Sequence, residues 1–231
     1  MKILLYLGLN LAVLIAAARL SNGPRWPLLF ALLSLGFGIG MANNLIEGIV
    51  FGVIGPAEAL GAAGFGLASF TLLSLLALAL AGKWNAPPAA PASLPITPGG
   101  LALVVIAYEA LYFGAGTLVF PYVADFYATR NLPPFYLVAA LQVPRSLLFL
   151  AFAIPLLRRA PRHAPLLLAF AFAVIASIAP LVMDNPYMPP DIRFYHAIET
   201  STSNAVFGFI LGWLFQPRIA HHAKATPAPA S

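Results

Sequence analysis

Between Asp184 and Gly212 the chain reads DNPYMPPDIRFYHAIETSTSNAVFGFILG, a proline-rich turn running into an apolar helix that carries Arg193, His196, Glu199, Ser203 and Asn204. At 100° per residue these five fall within an arc of roughly 140°, so they share one helix face. Charged groups in so apolar a segment are costly unless they are paired or line a cavity, and in a membrane helix they mark a candidate site. His196 and Glu199, spaced i, i+3, offer an imidazole and a carboxylate. Such a pair can exchange a proton, act as a general base, or give nitrogen and oxygen to a divalent metal.

Two further groups of polar residues interrupt apolar runs: Glu47 with Asn43 and Asn44, and Glu109 with Gln142 and Arg145. At 1.5 Å per residue, Glu47 falls in the same third of the bilayer as His196 and Glu199, with Asn204 a turn below. Glu109 and Arg145 fall near the midplane, at a depth where they can pair directly. Two layers are therefore expected: a Glu109–Arg145 ion pair at the centre, and a cluster of two carboxylates, an imidazole and amides towards one face. Glu47, His196 and Glu199 are the metal donors this arrangement would supply. The blander alternative is that these groups satisfy one another as interhelical glue. The aromatic residues Tyr108, Tyr112, Phe194 and Tyr195 read as packing or interface anchors.

The elements that must hold these residues are membrane helices. The 231 residues are 61% hydrophobic and 8% charged, against about 25% charged in a soluble domain. Absence of cysteine excludes disulfides, thiolate metal sites and cysteine nucleophiles. The net charge of +5 sits in the connections, as a topology signal does, and forms no basic stripe with interleaved aromatics; nucleic acid is not an expected partner.

The pattern predicts an all-α bundle of about seven transmembrane helices: 3–18, 26–54, 57–81, 99–123, 135–157, 165–183 and 190–215. Lys2 and the small residues Ala16–Ala18 also fit a signal peptide, but Arg19 and Arg25 outweigh Lys2 and argue against cleavage. Residues 1–82 hold three helices, 83–98 form a Pro/Ala-rich flexible linker, 99–216 hold four helices, and 217–231 read as a disordered tail. Counting basic residues puts Arg19, Arg25, Lys83, Arg158, Arg159, Arg162, Arg218 and Lys224 on one side. The expected topology is N-terminus out, C-terminus in, with linker and tail cytoplasmic. Glycines at small-xxx-small spacing (Gly36/Gly40, Gly48/Gly52, then Gly61, Gly64 and Gly66) point to close helix packing, or to a homo-oligomer or membrane partner.

The run NPYMPPDIRFYHAIETSTSN, preceded by LQVPRSLLFLAFAIPLLRR, resembles a group of small bacterial multi-pass membrane proteins. Their last helix has a similar proline turn followed by arginine, histidine, glutamate and serine–asparagine. The resemblance covers about the last hundred residues and implies a bacterial inner-membrane location, with no established activity. The last helix has no lysine for a retinal Schiff base, and the paired-glutamate motif of CAAX-type intramembrane proteases is missing.

Three functions are compatible with these residues. The leading one is proton- or cation-coupled transport, with Glu47 and Glu199 binding the ion, His196 tuning them and Glu109–Arg145 as an internal pair or gate. The second is a membrane-embedded, metal-assisted enzyme acting on a lipid-like substrate. The third is an accessory subunit that binds a partner through the glycine-rich helices.

Overall fold

The computed structural model describes residues 1–128, 133–160, 162–185 and 188–216. The expected tail at 217–231, with Arg218 and Lys224, lies outside the described residues, as does Arg130. The described residues form seven helices and no strand: α1 (Lys2–Leu20), α2 (Arg25–Val50), α3 (Pro56–Leu80), α4 (Pro98–Ala128), α5 (Phe135–Leu157), α6 (Ala164–Val182) and α7 (Pro190–Leu214). α1 to α6 are each long and apolar enough to cross a bilayer. α7 has the length, 25 residues or about 37 Å, but is made more polar by Glu199–Asn204. Three hydroxyls of that run turn back on their own helix. Thr200 donates to the His196 carbonyl at 2.7 Å, Thr202 to that of Ile198 at 2.7 Å, and Ser203 to that of Glu199 at 2.8 Å. Donors satisfied within the helix need no water, which lets a polar run sit among apolar neighbours.

Backbone chemistry sets the breaks. α2 ends where Gly52 takes a positive φ of 67°, and Pro56 opens α3 at a position where its missing N–H is harmless. α3 ends in a Schellman arrangement: Gly82 has φ +68°, and the Lys83 amide donates to the Leu78 carbonyl at 2.9 Å. α4 runs through Pro121 to Ala128, five residues past the expected end at Val123.

Each helix packs on the next in the order α1, α6, α7, α4, α5, α2, α3 and back to α1, and α2 also reaches across to α6. Tyr108 (α4), Phe149 (α5), Phe172 (α6) and Phe207 (α7) meet at the core with ring centroids 4.8–6.1 Å apart, a range that suits tilted and edge-on aromatic pairs. Gly36 and Gly40 serve packing within this bundle. A Cβ at Gly36 would stand 2.4 Å from the Phe70 ring, and one at Gly40 would stand 2.6 Å from Ile175 Cγ2. Gly61 and Gly64, by contrast, face open space.

Residues 83–97 form no helix or strand and lie across one end of the bundle. Lys83 Nζ donates to the Ser21 carbonyl at 3.0 Å, Arg159 to that of Ala89 at 2.8 Å, and the Ala92 amide to that of Arg158 at 2.9 Å. At the opposite end Lys2 hydrogen-bonds and ion-pairs with Asp184, and Arg193 lies 3.8 Å from the same carboxylate. The Lys2 hydrogen bond and then its charge hold the Asp184 carboxyl below its usual value. A carboxyl whose folded pKa is lowered adds stability above its unfolded pKa, about 3.9, and loses it as pH falls through the folded value. Lys2→Gln should therefore lower the thermal midpoint slightly at pH 6 in low salt, and the difference should vanish at pH 2. Because both groups are solvent-exposed, raised salt should abolish it as well. An unchanged difference at pH 2 would count against this origin.

Candidate functional site

One π-helical stretch, Ser34–Ala42, lies inside α2, and a second, Val174–Ile178, lies inside α6. Such stretches widen the helix and often occur where function needs a side chain re-aimed. The α2 stretch is pinned to α5 at both ends. Ser34 Oγ donates to the Phe152 carbonyl at 2.8 Å, and Asn43 Nδ2 donates to the Arg145 carbonyl at 3.1 Å. Between these two ties α2 advances nine residues while α5 advances seven. The wider π turns absorb the excess, and Asn43 and Glu47, one turn apart, both face α5.

Arg145 is the hub of what they meet. Its side chain is almost fully buried, at 4% exposure. Nε donates to Asn43 Oδ1 at 2.8 Å, and one terminal nitrogen donates to both Glu47 Oε1 and Gln142 Oε1 at 2.8 Å. The guanidinium also stands over the Tyr108 ring, 5.9 Å from its centroid, within cation–π range. Tyr112 Oη donates to Glu47 Oε1 at 3.3 Å. Glu47 keeps a quarter of its side chain exposed, so this carboxylate is paired but not sealed.

Two expected relationships are corrected by this geometry. The Glu109–Arg145 pair does not form. Glu109 follows Tyr108 and is turned about 100° from it around α4, and it makes no ion pair or hydrogen bond among the described residues. Glu47 takes its place on Arg145. A constant rise per residue put Glu47 in the outer layer because it ignored the π stretch, which spends residues without advancing the helix at the α-helical rate. Glu47 therefore belongs to the Arg145 layer.

On α7, His196 Nδ1 and Glu199 Oε2 are 3.1 Å apart, and both side chains are partly exposed. Glu199 Oε1 points at the face of α4 where Gly116 lacks a side chain; a Cβ there would stand 3.4 Å away. Gly116 is one turn along α4 from Tyr112, so Glu199 and Glu47 reach the same helix about a turn apart. Asn204 Nδ2 donates to Ser177 Oγ at 2.9 Å, which ties α7 to the π stretch of α6. Asn44 bonds within its own helix, to the Gly40 carbonyl at 3.4 Å, and takes no part in the network. Arg193 stays at the helix end, on the Met183 carbonyl and near Asp184.

The expected metal triad is not assembled. Among the described residues no three histidine, aspartate or glutamate side chains come close enough to share an ion, because Glu47 is drawn to Arg145 while His196 and Glu199 pair on α7. Gln142 joins Arg145, and Tyr112, Ser34 and Ser177 join the polar network where the sequence alone marked no site role for them. The signal was faint: a tyrosine one turn from another tyrosine, and two serines each isolated in an apolar run. Compared with known proteins, the chain matches no family model, no curated protein and no solved structure.

Proposed function

We propose that this multi-pass membrane protein binds and passes a proton or small cation, with Glu199 and His196 as the exchanging pair and Glu47–Arg145 as the internal gate. One observation carries the reading: Glu199 is a partly exposed carboxylate in the bundle with no fixed cation beside it among the described residues. Its partner is an imidazole, which is neutral or charged according to the proton it holds. Glu47, in contrast, is neutralised by an arginine that stays charged at any physiological pH. The pair on α7 can thus change its net charge while the pair on α2 and α5 cannot, and Tyr112, which donates to Glu47, stands one turn along α4 from the Gly116 position that Glu199 meets. A proton reaching Glu199 or a cation neutralising it would alter the field at Glu47, weakening or strengthening its hold on Arg145.

The charge distribution supports an orientation with the basic end cytoplasmic, N-terminus out and C-terminus in. The resemblance of the last hundred residues supports a bacterial inner membrane as the location.

The test is flux. Purified protein in liposomes carrying an internal dye selective for the ion under test should dissipate an imposed proton, Na⁺ or K⁺ gradient faster than empty liposomes. Glu199→Gln should abolish that flux with the thermal midpoint unchanged, and His196→Ala should shift its pH dependence. Wild-type flux no faster than empty liposomes for all three ions would sink the proposal, as would full flux in Glu199→Gln.

A further inference from the structure

The end of the bundle crossed by residues 83–97 gathers Arg19, Arg25, Lys83, Arg158, Arg159 and Arg162. All seven acids of the chain lie elsewhere. Glu58, Asp125, Asp184 and Asp191 lie towards the opposite end, and Glu47, Glu109 and Glu199 lie within the helices. None of the six cations belongs to an ion pair among the described residues. The few bonds they make are to backbone carbonyls, which leave their charge uncompensated.

Within this surface the turn at 21–24 is the most built part. Lys83 caps the Ser21 carbonyl from one side. Arg159 lies against Gly23, where a Cβ would stand 2.5 Å from its guanidinium nitrogen; with φ +127° Gly23 is also a position other residues rarely adopt. Arg25 follows the turn, its guanidinium 4.4 Å from the Trp26 ring centroid and 4.9 Å from that of Trp84. Two indoles holding one guanidinium restrict its swing and leave its edge N–H groups free to donate. Trp26 and Trp84 are well exposed, and so are the apolar Leu20 and Phe30 on the adjoining helices, at 41% and 62%.

We propose that this end seats the phosphate headgroup of an anionic phospholipid, held by Arg25 between its two tryptophans with Lys83 and Arg159 beside it. The cations favour phosphate, and Arg25 can meet it with the forked donors that suit a phosphate oxygen pair. The exposed Leu20 and Phe30 favour a lipid over free phosphate, since an acyl chain would cover them. Indoles at this level match the ordinary place of tryptophan at a membrane interface.

The experiment compares full-length protein in nanodiscs of phosphatidylcholine with nanodiscs of an equal mixture with phosphatidylglycerol. It reads thermal midpoint and, by native mass spectrometry after extraction, the lipid retained. Expected are a midpoint several degrees higher with phosphatidylglycerol, selective retention of that lipid, and a decline of both at raised ionic strength. Arg25→Gln/Lys83→Gln should reduce retention several-fold, while Lys2→Gln at the opposite end should not. Inorganic phosphate added to the phosphatidylcholine discs should give no comparable stabilisation. Equal retention of both lipids would overturn the proposal, and so would undiminished retention in the double variant. Stabilisation by inorganic phosphate alone would show a phosphate site that reads no lipid, which overturns it as well. Should the double variant fail to fold, salt-independent retention by the wild-type protein would be decisive against it.

Discussion

Arg145→Met alone is expected to destabilise the protein by about 3–5 kcal/mol, because it strands Glu47 with no cation in a low-dielectric core. Arg145 is 3% exposed as a residue and serves Asn43, Glu47 and Gln142 at once, so its removal leaves three acceptors short of a donor. Ordinary interhelical hydrogen bonds in membranes contribute only about 0.6–2 kcal/mol. A loss above that range separates a buried charge network from glue. The double variant Arg145→Met/Glu47→Leu removes both charges and should recover most of the loss, since well-packed apolar replacements of a buried pair are often neutral. Glu47→Gln keeps an acceptor for Arg145 and should fall between the two. The measurement is a double-mutant cycle by reversible denaturation in mixed micelles. A single variant no less stable than the double one would refute the central role given to this pair.

The helices were legible because about 30 Å of hydrocarbon demands about 20 apolar residues; six of the described helices meet that demand, the seventh has the length, and proline and glycine stand at the breaks. Which polar residues mattered was also legible, because ionisable groups in such runs are few. What composition could not give was depth and partnership. Nothing in SLGFGIGMA announces a π turn, and that turn shifts Glu47 by the slack between nine residues on α2 and seven on α5. Arg145 then had two carboxylates within plausible reach, and the choice of Glu47 over Glu109 rests on that shift and on which way α4 turns Glu109. Glycine spacing was informative in the same partial way: Gly36 and Gly40 are filled by Phe70 and Ile175 of the same chain, whereas Gly61 and Gly64, which look alike in sequence, face nothing.

Gly208→Ala and Gly212→Ala should each destabilise the protein by about 1–3 kcal/mol, the ordinary cost of overpacking, and should also weaken the candidate site from a distance. A Cβ at Gly208 would stand 2.5 Å from the Leu168 carbonyl oxygen, and one at Gly212 would stand 2.4 Å from Pro165 Cα. Both obstacles are backbone, which cannot rotate aside as a flexible side chain can. α7 must therefore move away from α6. Gly208 lies one turn from Asn204, whose bond to Ser177 is the tie between those helices at the level of the site. Separating the helices there lengthens that bond and displaces Glu199 from its present seat against the Gly116 face of α4. Gly64→Ala, with open space around it, should be neutral or slightly stabilising because alanine favours helix over glycine by up to about 1 kcal/mol. Thermal midpoints of the three variants, read beside flux through liposomes, distinguish the outcomes. Loss of both stability and flux in the two α7 variants, with neither lost in Gly64→Ala, is expected. Retained wild-type stability in Gly212→Ala would mean that α6 and α7 do not pack as closely as the glycines allow.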